Sequence, residues 1–98
     1  MNVEFKDHDL DRLETDAKFT GRFGPAVVSA FRRRMQTIRT APDERTFYQS
    51  RSLHFEKLKG SRKGQYSMKL NAQWRLIVVL HGAGAQKVVS IIEIVDYH

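Results

Sequence analysis

The segment Trp74-Arg75-Leu76-Ile77-Val78-Val79-Leu80 constrains the fold more than any other part of the chain. It is almost continuously apolar and rich in β-branched side chains, the pattern of a central strand covered on both faces. Such a strand needs neighbours to pair its backbone. Tyr66, Met68 and Leu70 alternate with Gln65, Ser67 and Lys69, which predicts a strand with one wet face. Val88 to Val95 predicts another, reached through the turn Gly82-Ala83-Gly84. Leu53 to Leu58 offers a further strand leading into Lys59-Gly60, and Val3-Glu4-Phe5 a short edge strand.

Ahead of these runs the period is helical. Leu10, Leu13 and Ala17 recur at helical spacing, with Asp7 and Asp9 placed to cap the first turn. Gly21 and Gly24 break the chain. Pro25 then stands where a first helical residue is expected, and Val27, Val28, Phe31, Met35 and Ile38 form the stripe of a longer helix that Ala41-Pro42 ends. The fold class is therefore α+β: two N-terminal helices packed on a mainly antiparallel sheet of about four to five strands. The 98 residues suffice for one domain with a single modest core.

Composition narrows the function. There is no cysteine, which removes disulfide frameworks and thiolate metal sites and suits a reducing compartment. Leu76 to Leu80 is too short to span a bilayer and the N-terminus lacks an apolar signal segment, so a cytoplasmic protein with no membrane partner is expected. The net charge is +6, and its distribution is uneven. Residues 1–50 hold nine Lys/Arg against eight Asp/Glu, whereas residues 51–98 hold eight against three. That excess suits a polyanion or an acidic protein. A merely solubilising surface is the equal alternative.

Three features of the basic half have chemistry to offer. Arg75 interrupts the central strand, and a guanidinium there must be paired or solvated. It either grips a phosphate on an exposed sheet face or makes a structural salt bridge to Glu93 or Asp96. The run Lys57-Leu58-Lys59-Gly60-Ser61-Arg62-Lys63-Gly64 places four cations and two glycines ahead of a strand, forming either a phosphate-binding lip or a solvated hairpin loop. The ending Asp96-Tyr97-His98 continues an apolar strand, which holds side chains suited to proton transfer and base stacking near the sheet edge. If Arg75 lies opposite Ile92, then Arg75 and Asp96 share a face; a shift of one residue separates them. His8, His54 and His81 show no metal-ligand spacing. Arg32-Arg33-Arg34 reads as the solvated face of a helix.

Phe55 to His98 contains Leu58-Lys59-Gly60, Tyr66-Ser67, Trp74-Arg75 and the closing Asp96-Tyr97-His98. In order and spacing this resembles the HigB, or plasmid maintenance system killer, family of the RelE/ParE toxin superfamily. The resemblance covers about half the chain well; the helices agree only in position and character. It implies a RelE-like fold and a toxin that cuts messenger RNA on the ribosome without metal or cofactor. Lys59 would be the family's catalytic lysine and Arg75 its phosphate-binding arginine. Asp96, Tyr97 and His98 match its functional C-terminal residues. Glu56 stands where some members carry a catalytic histidine, and His54, two residues earlier at the same strand parity, is placed to substitute. His54, Glu56, Lys57, Arg62 and Lys63 complete the expected substrate-binding set.

The implied chemistry needs a base for the 2′-OH, cations for the charge on the pentacoordinate phosphorus, and an acid for the 5′-oxygen. Lys59 and Arg75 suit the electrostatic role, Asp96 and His98 the proton transfers, and Tyr97 the stacking. The expected partners are the ribosome with its mRNA and a HigA-like helix-turn-helix antitoxin, operator DNA being contacted only through the antitoxin complex. Two other readings remain open at this stage: a ParE-like gyrase inhibitor and a non-catalytic nucleic-acid or protein-binding module.

Overall fold

The computed structural model describes residues 1–83 and 86–96. Strands β1 (Asn2–Phe5), β2 (Glu56–Lys57), β3 (Tyr66–Lys69), β4 (Trp74–His81) and β5 (Val88–Asp96) form one sheet. Their order is β1-β5-β4-β3-β2. β1 runs parallel to β5, and the other pairings are antiparallel. The apolar run at 74–80 is thus the middle strand, but the helices cover only one of its faces rather than the two that its pattern suggests. Among the described residues no helix is long and apolar enough to cross a membrane.

Helix α1 spans His8–Thr15, and the Asp7 carboxylate accepts a hydrogen bond from the Asp9 amide at 2.8 Å. That contact satisfies a backbone donor the helix cannot satisfy itself. Ala17, read as part of this helix, lies beyond it and is exposed. Helix α2 spans Pro25–Thr40, with the proline in the first turn and Ala41 at the end. Its stripe of Val27, Val28, Phe31, Met35 and Ile38 is buried. These side chains meet Met68, Leu76, Val78, Val89, Ile91 and Ile94 from one face of the sheet. Each fully buried large aliphatic or aromatic side chain contributes about 1.5–3 kcal/mol.

A third helix, α3 (Arg45–Gln49), was not expected. Five residues with a single buried apolar side chain, Phe47, leave no periodic stripe to detect. The strand expected over 53–58 is also shorter than the apolar pattern suggests. Arg51–Leu53 is a single 3₁₀ turn, and only Glu56 and Lys57 pair with β3.

The β4–β5 ladder carries the main departure. Leu76 pairs with Ile94 and Ile77 with Glu93, but Val78 pairs with Ile91, so Ile92 is an extra residue, a β-bulge. The bulge moves Arg75 from Ile94, its partner in a straight ladder, to Val95, so the pairing with Ile92 does not form, and Trp74 lies opposite Asp96. The bulge changes which residues face inward. Val89, Ile91 and Ile94 are buried in the core, while Glu93 joins Arg75 and Ile77 on the face without helices. A straight ladder would have put Glu93 opposite Leu76, inside the core.

The arginine triplet is not the solvated face that its sequence suggests. Arg32 donates to the carbonyls of Leu13 (3.0 Å), Asp16 (3.1 Å) and Phe19 (3.2 Å), closing the α1–α2 connection. Arg34 donates through Nε and Nη2 to the Lys69 carbonyl at 3.1 and 2.7 Å, tying α2 to the end of β3. Burial pulls its pKa below the ordinary arginine value, with the neighbouring Arg33 charge adding to the effect. Arg33 is exposed and reaches only Ser29, at 2.7 Å. Replacing Arg34 with Met should therefore lower the unfolding free energy by about 1–3 kcal/mol, because a partly buried carbonyl loses its donor. Arg33→Met should change it by less than about 0.5 kcal/mol. Urea denaturation of the two variants checks the contrast, and equal effects would refute it.

Candidate functional site

The helices cover one face of the sheet, and the residues with the clearest chemistry gather on the other. Strand pairing sets Glu56, Ser67, Ile77 and Glu93 in one row across β2, β3, β4 and β5. Arg75 stands beside that row, its side chain only 13% exposed. Its Nη1 donates to Glu56 Oε1 at 3.1 Å, to Ser67 Oγ at 3.3 Å and to the His54 carbonyl at 3.3 Å. Among the described residues Arg75 pairs with Glu56, rather than with the Glu93 or Asp96 that the sequence suggested. Ser67, read as lying on a wet face, is 3% exposed and sits beneath the guanidinium.

His54 earns its place through its backbone. It ends the Arg51–Leu53 turn with φ 43° and ψ 49°, and no other non-glycine residue among those described has positive φ. Left-handed backbone is costly for a residue with a Cβ. Leu53 is buried just before it. Just after it, Phe55 stacks on Tyr66, with ring centroids 5.0 Å apart and planes 4° from parallel. The chain must reverse between these two anchors, and the reversal points the His54 carbonyl at Arg75. The imidazole itself belongs to an exposed residue.

The basic run forms the connection between β2 and β3. The Leu58 amide donates to the Gln65 carbonyl at 2.9 Å at its base, and Gly60–Arg62 make a 3₁₀ turn at its tip. Gly60 and Gly64 take φ of 67° and 90°, values that glycine adopts without strain. Lys57, Lys59 and Lys63 are exposed and, with Leu58 and Gly60, line a concavity of about 300 Å³. Arg62 differs from them. Its Nη2 pairs with Glu93 of β5 and its Nη1 donates to Gln65 Oε1 at 2.9 Å.

Asp96 accepts from Gln73 Nε2 at 3.1 Å and, being opposite Trp74, leaves β5 on the helix side of the sheet. The structure thus gathers Arg75, Glu56, Ser67 and the His54 carbonyl, with Arg62 and Glu93 on the same face. It sets Asp96 on the other parity at the strand end. Tyr97 and His98 lie outside the described residues. Farther along the helix-free face, His81 Nε2 is 2.9 Å from Glu4 Oε1 and 2.7 Å from Ser90 Oγ. The Ser90 hydroxyl and then His81 hold the Glu4 carboxyl below its ordinary value, against desolvation. Sequence reasoning gave no role to Glu4 or Ser90, because a lone serine or glutamate on a strand carries no pattern, and it noted Ser67 only within the Tyr66-Ser67 motif. Among the described residues no three His, Cys, Asp or Glu side chains gather to hold a metal ion.

This architecture is that of small bacterial toxins of the RelE superfamily. The YoeB/ParE toxin from Agrobacterium tumefaciens superposes with a TM-score of 0.62 at 20% identity, covering 100% of this chain and 99% of that one. YafQ from E. coli strain BL21(DE3) gives 0.61 at 14% identity, over 97% and 91%. A chain of the YoeB–YefM complex from Staphylococcus aureus gives 0.59 at 19%, over 100% and 97%. No curated protein sequence matches. The family model of the HigB-like toxin, described as a RelE-like toxin of the type II toxin–antitoxin system HigB, matches residues 3–98, and the chain belongs to that family. It is a toxin of a type II toxin–antitoxin system.

The strain at His54 is testable. His54→Gly should raise the unfolding free energy by up to about 1 kcal/mol, the relief of left-handed backbone outweighing the added freedom of the unfolded chain. His54→Val should lower it by about 1 kcal/mol or more. Thermal or urea unfolding reads both; a less stable glycine variant would contradict the backbone role.

Proposed function

We propose that this toxin is a ribosome-dependent endoribonuclease that cleaves translated mRNA by attack of the 2′-OH on the adjacent phosphate. The observation that carries the reading is Arg75: a guanidinium pinned from Glu56, Ser67 and the His54 carbonyl on the helix-free face of the sheet. An arginine so fixed meets a phosphate with little further loss of side-chain freedom, and its planar fork suits phosphate oxygens. Substrate phosphate would displace or share the Glu56 contact. Lys59 supplies a second cation for the charge that builds on phosphorus, with Lys57 and Lys63 drawing in the backbone on either side. His98 serves proton transfer and Tyr97 stacks a base, whereas Asp96, which leaves β5 on the helix side of the sheet, takes no step at the phosphate that Arg75 holds.

A catalytic set this small leaves substrate positioning to another body, and the decoding site of the ribosome supplies it. The family's toxin–antitoxin character supports a cognate antitoxin partner, and YefM in the S. aureus complex is a precedent for a protein partner on this fold. We take that partner to be a HigA-like helix-turn-helix protein that carries the contacts to operator DNA, the toxin acting in the cytoplasm.

Expression of the chain from a tightly repressed promoter, followed by mapping of transcript 5′ ends, tests the reading. The expected result is cuts confined to translated regions, lost with Arg75→Ala and reduced at least about a hundredfold with Lys59→Ala. Log affinity for the ribosome should fall with log salt, with a slope smaller by about one unit per phosphate-contacting lysine neutralised. Uncut transcripts in cells whose DNA loses supercoiling would instead assign the chain to the gyrase inhibitors.

A further inference from the structure

The Lys57–Lys63 lip has almost nothing beneath it. Its 3₁₀ turn buries no residue, and glycines with positive φ stand at positions 60 and 64. Apart from the backbone hydrogen bonds of the hairpin, the described contact that joins it to the rest of the sheet is the ion pair between Arg62 and Glu93. Glu93 faces Arg62 only because of the bulge at Ile92, which turns this carboxylate out of the core. Next to Glu93 across the β4–β5 ladder lies Ile77, which is 2% exposed although it points away from the helices.

We infer that Arg62 and Glu93 form a latch that holds the lysine lip against the helix-free face, so that Arg62 is a positioning residue and not a phosphate ligand. The inference rests on the proposed reading of this face as the RNA site. The Arg62 amide bonds back to the Lys59 carbonyl and the Lys63 amide to the Gly60 carbonyl, so both lysines are carried on the turn that the latch fixes. Releasing it leaves every lysine charge in place. Long-range attraction for the ribosome would persist, whereas the fixed placement of the ammonium groups near the reacting phosphate would be lost. A direct role for Arg62 predicts the reverse, because removing Glu93 would free a cation for RNA.

Glu93→Gln separates these outcomes. The latch predicts a single-turnover cleavage rate on programmed ribosomes at least about tenfold lower, with affinity unchanged within about twofold. It also predicts trypsin cleavage after Lys59 and Lys63 at least about tenfold faster. The melting temperature should fall by no more than a few degrees, since exposed ion pairs add little to global stability. The exchange Arg62→Glu with Glu93→Arg should restore both rates, and Arg62→Met, which breaks the pair from the other side, should reproduce the loss. Retained turnover, unchanged trypsin resistance, or a faster digest without slower turnover would each overturn the assignment. If the unmodified toxin cuts no mRNA, the proposed function fails, and the trypsin rates alone decide whether the latch exists.

Discussion

Pairing of β4 with β5 is the contact on which the rest of the architecture depends. Side chains alternate strictly across a strand, so one residue of slippage would exchange the core and the open face. The ladder runs from Trp74 opposite Asp96 to His81 opposite Val88, with one interruption at Ile92. That single extra residue allows β5 to bury Val89, Ile91 and Ile94 while turning Ser90 and Glu93 outward. The hairpin closes at Gly82, whose φ is 85° and where a Cβ would lie 2.6 Å from the Gln86 carbonyl oxygen. Steric exclusion at the turn and the bulge in the strand together fix the register.

Charge on the helix-free face is arranged in matched pairs. Arg75 with Glu56 and Arg62 with Glu93 place two guanidinium–carboxylate contacts along one row of the sheet. Neither pair is an obvious stabiliser: the half-exposed Arg62–Glu93 contact contributes little, and the attraction of Arg75 to Glu56 is offset by the desolvation of a mostly covered guanidinium. The left-handed His54 adds strain in the same neighbourhood. A protein selected only for stability would fill such positions with apolar or short polar residues. Strain and paired charge together on a face that the helices leave open support the proposed reading of that face as an RNA site.

Much of the scaffold was legible from periodicity. The central strand, the α2 stripe with Pro25 at its start, the Asp7 cap and the turn at Gly82 each follow from a local rule that the rest of the fold does not override. What escaped was non-local or too short to have a period. Helix α3 rests on one buried side chain, Phe47. The bulge is invisible in a run where Ile91, Ile92, Ile94 and Val95 are interchangeable by pattern. The arginine triplet misled because the acceptors of Arg32 and Arg34 are backbone carbonyls up to 35 positions away, and carbonyls have no sequence signature. Of the candidate site, sequence singled out Arg75, Glu56 and the lysine run, but it offered Glu93 or Asp96 and not Glu56 as the salt-bridge partner of Arg75. It had no means of pairing Arg62 with Glu93 or of separating Asp96 from Arg75.

The lone tryptophan of the chain is at an informative place. Trp74 begins β4 directly across from Asp96, and its ring meets Phe23 edge-on at 6.0 Å. An indole half-shielded between the α1–α2 connection and the outgoing end of β5 senses the water content of that corner. Its emission wavelength and quenching therefore offer a label-free optical signal of events at the C-terminal edge of the sheet. The same signal is available to anyone titrating a protein partner, without a dye attached to the molecule.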